Sequence, residues 1–288
     1  MTFTQLEVFA ALARAGSFSR AAGLLGITQS AVSHSLRQLE TELGIPLLSR
    51  DGLHSSLTPA GARLLVRVNE ILQQKEALVQ EAQAEHGIAR GRLRIASFGV
   101  TSSLHVLPRL IQAFAEEQPH VQVEIEEQDD ETVARWLLER RVELGFVVLP
   151  DERFETIPLA EDELVALLPA HHPLAAHTSI RAEDLAGQPF IRTTAGSGEH
   201  IDRFLAQADT PPRVLYRFEQ LSSMLGFVAQ GHALSIAARL ALPEAPAGVV
   251  YRPLDPPRKR RTALAAPSFQ RLSPAAAAFV EVARRLGG

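Results

Sequence analysis

The chain has 288 residues, a formal charge of −4, 46% hydrophobic residues and no cysteine. That length and apolar content allow a sizeable core in more than one domain, and the missing thiols exclude disulfides and thiolate metal sites. Mild acidity excludes a generally basic nucleic-acid coat, so any DNA affinity has to come from local placement and from doubling a module. The amino terminus opens on a polar amphipathic helix rather than a basic run with an apolar core, so no signal peptide is read there. No later segment is apolar for long enough to span a bilayer, and a cytoplasmic protein is expected.

Residues 3–15 place Leu6, Phe9, Ala10, Leu12 and Ala13 at helical spacing, and Gly16 ends that helix. The next stretch, residues 17–40, reads SFSRAAGLLGITQSAVSHSLRQLE and predicts two short helices joined by a tight turn, a helix-turn-helix over about residues 18–37. Phe18, Ala21, Ala22 and Leu25 recur at helical spacing, Gly26 takes the left-handed conformation that stops a helix, and Thr28 caps the next. In that second helix Val32, Leu36, Leu39 and Leu43 form an apolar stripe, which leaves Gln29, Ser30, Ser33, His34 and Arg37 on the opposite face. A short polar face free of carboxylates suits the major groove, where Gln pairs with adenine, Arg with guanine or phosphate, and Ser with several base edges. The same pattern also fits an ordinary amphipathic helix pair in an all-α domain.

Beyond this helix come Leu43-Gly44-Ile45-Pro46-Leu47-Leu48-Ser49-Arg50 and then Ser56-Leu57-Thr58-Pro59-Ala60-Gly61. Together with Phe3, Leu6, Phe9, Ser17-Phe18-Ser19-Arg20-Ala21-Ala22 and Gln29-Ser30-Ala31-Val32-Ser33, these residues keep the order and spacing of the LysR-type transcriptional regulators. The region therefore resembles that family's winged helix-turn-helix, and the candidate DNA contacts are Thr28, Gln29, Ser30, Ser33, His34, Arg37 and Arg50. Two departures matter. The family usually has Phe where Leu48 stands, and its wing is usually rich in Arg, whereas here it reads Asp51-Gly52-Leu53-His54-Ser55-Ser56. Most of the wing's phosphate-binding charge is gone.

Residues 59–87 predict one long helix, begun by Pro59 and uninterrupted by Gly or Pro after Gly61. Leu64, Val68, Ile71, Lys75, Leu78, Ala82 and Glu85 fall at alternating four- and three-residue steps, and Leu65, Leu72 and Val79 widen the stripe. At about 1.5 Å per residue the helix reaches ~40 Å, so Leu64, Val68, Leu72 and Leu78 are expected partly in water unless a second chain covers them. In the family resembled, this is the linker helix that pairs antiparallel with a second subunit's. Packing wholly within one chain is the alternative.

From Gly91 onward the period changes. Residues 93–97, 121–127 and 144–149 read as strands, and 107–117 and 132–140 as helices. A second block places strands at 163–169, 189–193, 214–218 and 234–238, with helices at 198–207 and 222–230. A strand at 261–266 returns to the first block, and a helix at 274–286 closes the chain. The expected fold is α + α/β. A winged helix-turn-helix occupies 1–58, a linker and dimerisation helix 59–87, a hinge 88–91, and a two-lobed α/β effector domain resembling periplasmic binding proteins 92–288. Lobe I takes about residues 92–161 and 265–288, and lobe II about 162–264.

Two lobes joined by two crossings leave a cleft, and ligands in such sheets sit beyond the carboxyl ends of strands. Ser97, Gly99, Thr101 and Ser102 follow the first strand, and Thr193 and Thr194 follow a strand of the second lobe. Each run leads to a helix whose free amides favour an anion, so a small organic anion is the expected effector. Asp129 and Asp130 near the cleft oppose it, and plain helix capping is the competing role for these hydroxyls. His232 joins the candidate effector-binding residues because the family usually has Gly-Leu-Gly-Ile-Ala where this chain has Gly231-His232-Ala233-Leu234-Ser235-Ile236-Ala237, although a structural histidine fits as well.

His171-His172 lacks a third ligand at useful spacing, so no metal is expected. The run Glu124–Glu131 reads as mainly a solvated strand face, and Arg258-Lys259-Arg260-Arg261 as a solvated turn before a strand. No nucleophile triad and no phosphate loop appears, so neither catalytic residues nor a cofactor are expected. The resemblance implies a transcriptional regulator, not an enzyme, that senses a small-molecule effector. It implies a homodimer or homotetramer on double-stranded promoter DNA with an interrupted inverted repeat, RNA polymerase as a further partner, and no membrane contact. Two other readings stay open: a two-lobed solute-binding protein or enzyme with an unrelated N-terminal helical module, and a constitutive DNA binder without a ligand.

Overall fold

The computed structural model describes residues 1–49, 56–84, 90–194 and 197–287. The chain divides into two units, Met1–Gly91 with Leu138–Arg141, and Arg92–Leu137 with Val142–Gly288. In the first, α1 (Phe3–Ala15), α2 (Phe18–Leu25) and α3 (Gln29–Leu43) pack around buried Leu6, Phe9, Leu12, Ala21, Val32, Leu36 and Leu39. Each helix starts at a hydroxyl, because Thr2, Ser17 and Thr28 accept the amides of Gln5, Arg20 and Ala31, which the helix itself leaves unpaired. Gly26 stops α2 at a φ of 65°, the left-handed conformation that turns the chain into α3. Leu43, expected on the apolar stripe of α3, is exposed at the end of the helix.

Strands β1 (Leu48–Ser49) and β2 (Ser56–Leu57) pair antiparallel with Leu48 opposite Leu57, and α4 (Pro59–Ala84) follows. Glu40 on α3 fixes the entry to β1, since its Oε1 accepts the amides of Leu47 at 2.8 Å and Leu48 at 3.3 Å. In the first turn of α4, a Cβ on Gly61 would lie 2.1 Å from the Leu47 carbonyl oxygen, so the helix can approach this closely only with glycine there.

The stripe predicted along α4 divides between two faces. Leu65 and Val68 join the core of the first three helices, so Val68, expected partly in water, is covered by the chain itself, while Leu64 and Leu72 pack against that core and stay partly exposed, as expected. Lys75 pairs with Glu7 at 2.6 Å and lies over the Phe3 ring, which accounts for a charge inside the seam. Ile71, Leu78 and Val79 remain 39%, 67% and 44% exposed. Glu85 falls outside the described residues.

In the second unit one mixed sheet runs through both lobes. Its strands in chain order are β3 (Gly91–Phe98), β4 (Val121–Gln128), β5 (Leu144–Leu149), β6 (Glu155–Pro169), β7 (Pro189–Thr193), β8 (Arg213–Phe218), β9 (Leu234–Ala238) and β10 (Val249–Ala266). Their spatial order is β4-β3-β5-β10-β6-β9-β7-β8. The helices are α5 (Leu107–Glu117), α6 (Asp130–Leu138), α7 (Gly198–Leu205), α8 (Leu221–Ala229) and α9 (Pro274–Gly287), with a π-helical turn at Thr101–Val106. Lobe I packs Phe98, Phe114, Trp136, Phe146 and Phe279 into one core. Lobe II buries both sheet faces, one against Ile201 and Phe204 of α7, the other against Met224 and Val228 of α8.

Strands β6 and β10 are the crossings, antiparallel to each other and much longer than the apolar segments expected at 163–169 and 261–266. Between Pro253 and Arg258 the β10 register jumps while β6 advances by one residue, from Val165 to Leu164. The segment Leu254-Asp255-Pro256-Pro257 forms this irregularity, where two prolines have no N–H to offer a ladder. The basic run that follows is not a solvated turn. Within β10, Lys259, Arg260 and Arg261 stand opposite Glu163, Asp162 and Glu161.

Candidate functional site

Helix α3 presents its polar residues outward while Val32, Leu36 and Leu39 anchor the opposite face. Thr28, Gln29, Ser30, His34 and Arg37 are exposed and Ser33 is partly so. Local bonds orient them. Thr28 and Ser30 share a hydroxyl contact of 3.0 Å, Ser19 donates to the side-chain Oε1 of Gln29 at 3.3 Å, and Arg37 Nε donates to the Ser33 backbone carbonyl at 3.2 Å. These residues form one solvated surface of donors and acceptors of the kind that reads base edges. Arg50, with the wing tip Asp51–Ser55, lies outside the described residues.

A second site opens in the effector unit. A cavity of about 480 Å³ lies between the lobes, bordered by Gly99, Thr101, Glu127 and Asp129 of lobe I, and by Thr193, Thr194, Ser197, Glu219 and Ser222 of lobe II, with Arg260 on a crossing strand. Arg260 and Asp162 oppose each other in register and pair at 2.9 Å, with side chains 4% and 1% exposed. The guanidinium also donates to Thr101 Oγ1 at 2.6 Å and to Ser197 Oγ, so it holds one residue of each lobe. Asp162 is equally engaged. Its Oδ1 accepts the amides of Glu163 at 2.8 Å and Leu240 at 3.0 Å, and its Oδ2 accepts the Thr101 hydroxyl at 3.3 Å. A buried pair survives when every polar atom is satisfied in this way.

Of the residues expected around an effector, Gly99, Thr101, Thr193 and Thr194 border this cavity. Ser97 and Ser102 are buried behind its wall, where their hydroxyls meet at 2.9 Å and Ser102 donates to the Phe98 carbonyl. They support the loop rather than face the space. His232 is exposed and lies outside the cavity lining, its ring 5.4 Å from that of Phe227. The expected anion site at the amino end of a helix is also altered, because residues 101–106 form a π-helical turn before α5 begins. Arg260 was missed, although a signal existed: Arg258-Lys259-Arg260-Arg261 and Glu161-Asp162-Glu163 are complementary runs, which antiparallel strands set opposite each other. The acidic run is not only a solvated face either, since Glu127 and Asp129 border the cavity.

The titratable groups here keep distinct charges. Burial alone raises the Asp129 carboxyl, but the Thr132 hydroxyl and amide, aided by Arg135, outweigh it and hold the group below the ordinary carboxylate range. Burial, reinforced by Arg203 and Arg260, pushes the His200 imidazole on α7 down. Asp130 of lobe I accepts the Ser197 amide of lobe II at 3.0 Å, a further bond across the cleft.

Comparison with known proteins identifies the family of both units. Residues 3–62 match the family model described as bacterial regulatory helix-turn-helix protein, lysR family, and residues 86–287 match the LysR substrate binding domain. An uncharacterized HTH-type transcriptional regulator of Bacillus subtilis, YvbU, is 34% identical over 100% of this chain and 99% of its own length. A probable HTH-type transcriptional regulator of Synechococcus elongatus, LrrA, is 35% identical over 99% of this chain and 97% of its own. Among solved structures, a full-length OxyR variant from Pseudomonas aeruginosa is similar with a TM-score of 0.70 and 26% identity, covering 99% of this chain and 95% of that one. The LysR family regulator CbnR shares the fold at a TM-score of 0.65 and 22% identity, each chain covered in full. Among the described residues no helix is long and apolar enough to cross a membrane. The chain belongs to the LysR family of helix-turn-helix transcriptional regulators, with an N-terminal DNA-binding unit and a C-terminal two-lobed substrate-binding domain, and is not an enzyme.

Proposed function

We propose that the chain acts in the cytoplasm as an effector-responsive regulator that reads an interrupted inverted repeat in promoter DNA through Gln29, Ser30, Ser33, His34 and Arg37, with Thr28 and Arg50 on phosphates. The exposed polar face of α3 supports the DNA contacts, since it combines donors and acceptors with no carboxylate. Exposed Ile71, Leu78 and Val79 on α4 support pairing of that helix with its copy in a homodimer, from which a homotetramer is built. RNA polymerase is the further partner of a regulator bound beside a promoter.

The effector is a small molecule bearing a carboxylate, held between the lobes by Thr193, Thr194 and Ser197, with Arg260 and the Thr101 bonded to it beneath. One observation carries this reading: hydroxyls from both lobes converge with a buried guanidinium on one cavity of about 480 Å³. Ligand that binds one lobe arrangement better than another shifts their populations, and through them the spacing of two reading heads. A thermal-shift screen of small carboxylic acids and their neutral analogues on the full-length protein tests it. An acid at about 100 times its dissociation constant adds roughly 2.7 kcal/mol, and Thr193→Ala abolishes the shift. Stabilisation by neutral analogues alone overturns the assignment.

A further inference from the structure

We propose that the effector carries a cationic nitrogen as well as its carboxylate, so that the cleft takes an amphoteric small molecule of the amino-carboxylate class. This rests on the cleft being the effector site. The argument begins with Arg260, the cationic group bordering the main cavity, whose charge is cancelled by Asp162 opposite it in register. Four hydrogen bonds engage four of its five N–H groups, two to Asp162, one to Thr101 and one to Ser197, which leaves a single donor without a partner among the described residues. The floor can still receive one carboxylate oxygen but adds no net positive charge.

Everything else ionisable around that cavity is acidic: Glu127 and Asp129 at the end of β4, and Glu219 just beyond β8. An adjoining pocket of about 420 Å³ shares Asp129, Thr193, Thr194 and Glu219, and adds Asp130, Glu131, Arg192 and Arg217. Arg192 is occupied by Asp202 at 2.7 Å and by the Thr193 carbonyl at 3.0 Å. Among the described residues, Arg217 is the cation bordering these spaces that has no ion pair, against five carboxylates that border one or both of them, Glu127, Asp129, Asp130, Glu131 and Glu219. Asp129 stays ionised over the whole physiological range, its charged form held by Thr132.

The distribution matters as much as the sum. Glu127 and Asp129 belong to lobe I and Glu219 to lobe II, so bringing the lobes together gathers like charges in a space that loses water, where they repel more strongly. An anion alone adds to that repulsion. An ammonium lying between Asp129 and Glu219 removes it and binds the closed arrangement better than the open one, which is the differential affinity a switch requires. The carboxylate of the same molecule meets the opposite pole, the hydroxyls of Thr193, Thr194 and Ser197 and the remaining Arg260 donor.

The test uses full-length protein and four matched probe sets: the free α-amino acids, their N-acetyl derivatives, their primary amides, and dicarboxylates. Pools are screened by thermal shift and the hits titrated by calorimetry. At least one free amino acid binds, and its N-acetyl and amide forms bind at least tenfold more weakly. Glu219→Gln, a change at an exposed rim position, weakens the free amino acid at least fivefold and leaves N-acetyl forms unchanged or tighter, whereas Thr193→Ala weakens every binder. If N-acetyl acids or dicarboxylates bind as tightly as free amino acids, and Glu219→Gln does not weaken binding, the cleft is a plain anion site and the amphoteric ligand is refuted while the effector site stands. Equal binding of the amides refutes it as well, since the cation alone is then read. Binding of no probe from any set overturns both the ligand class and the effector site.

Discussion

The polar side chains of α3 and those beneath the cleft are held in opposite ways. The candidate DNA contacts of α3 are held by local bonds, the longest spanning ten residues from Ser19 to Gln29, and stay at the solvated surface. Beneath the cleft the bonds join residues far apart in sequence, Arg260 to Asp162, Thr101 and Ser197, and all four side chains are buried. A surface that meets a macromolecule can keep its groups solvated until the partner arrives, so removing one costs affinity and leaves the fold alone. An enclosed network is part of the fold, so removing one member costs both.

The largest expected effect follows from the cleft side of this contrast. Asp162→Ala strands a buried guanidinium and is expected to destabilise the protein by about 3–5 kcal/mol, read as a fall in thermal midpoint. Adding Arg260→Met to Asp162→Leu recovers most of that stability, because an apolar pair of similar volume replaces a buried ion pair at little cost, but it does not recover effector binding. A double variant that still binds the effector would separate the network from the site. Next comes Glu40→Ala, which leaves the Leu47 and Leu48 amides without their carboxylate and costs about 1.5–3 kcal/mol in denaturant unfolding. The DNA-binding unit thus has its own structural carboxylate, close to but distinct from the reading face.

On that face the order of effects reverses. Gln29→Ala and Arg37→Ala are expected to weaken specific DNA binding by about 1–3 kcal/mol while changing stability by no more than about 0.5 kcal/mol. A stability loss as large as that of Glu40→Ala would mean that α3 is a packing helix after all. The smallest effect is a pH slope. With the His200 pKa below its ordinary value, the unfolded chain binds more protons between the folded and unfolded values, so stability rises with pH across that window. It falls as pH drops from about 6.5 toward the folded value, and His200→Gln flattens the slope in urea titrations at stepped pH.

The two regions also differed in how far the sequence disclosed them. The α3 face was legible because its signals are local: a cap at Thr28, a stop at Gly26 and a stripe of Val32, Leu36 and Leu39 lie within a few turns. The cleft was half legible. Thr101, Thr193 and Thr194 follow strands, which a pattern can find, but Arg260 and Asp162 lie 98 positions apart on crossing strands whose charged halves show no clean alternation. Ser97 and Ser102 stood at plausible positions, and only the loop's path shows that their hydroxyls turn to each other. The α4 stripe was read as a single seam because periodicity reports that a face is covered but not by what. Leu64 and Val68 meet their own domain, and Ile71 and Leu78 do not.

The most direct test of the account is a fluorescence anisotropy titration of the full-length protein on its own promoter region against a shuffled duplex of equal composition, at one fixed salt concentration. The account predicts tighter binding to the promoter by about a thousandfold or more, with Gln29→Ala and Arg37→Ala narrowing that ratio. Equal affinity for the two duplexes, or a ratio that neither substitution changes, would contradict it.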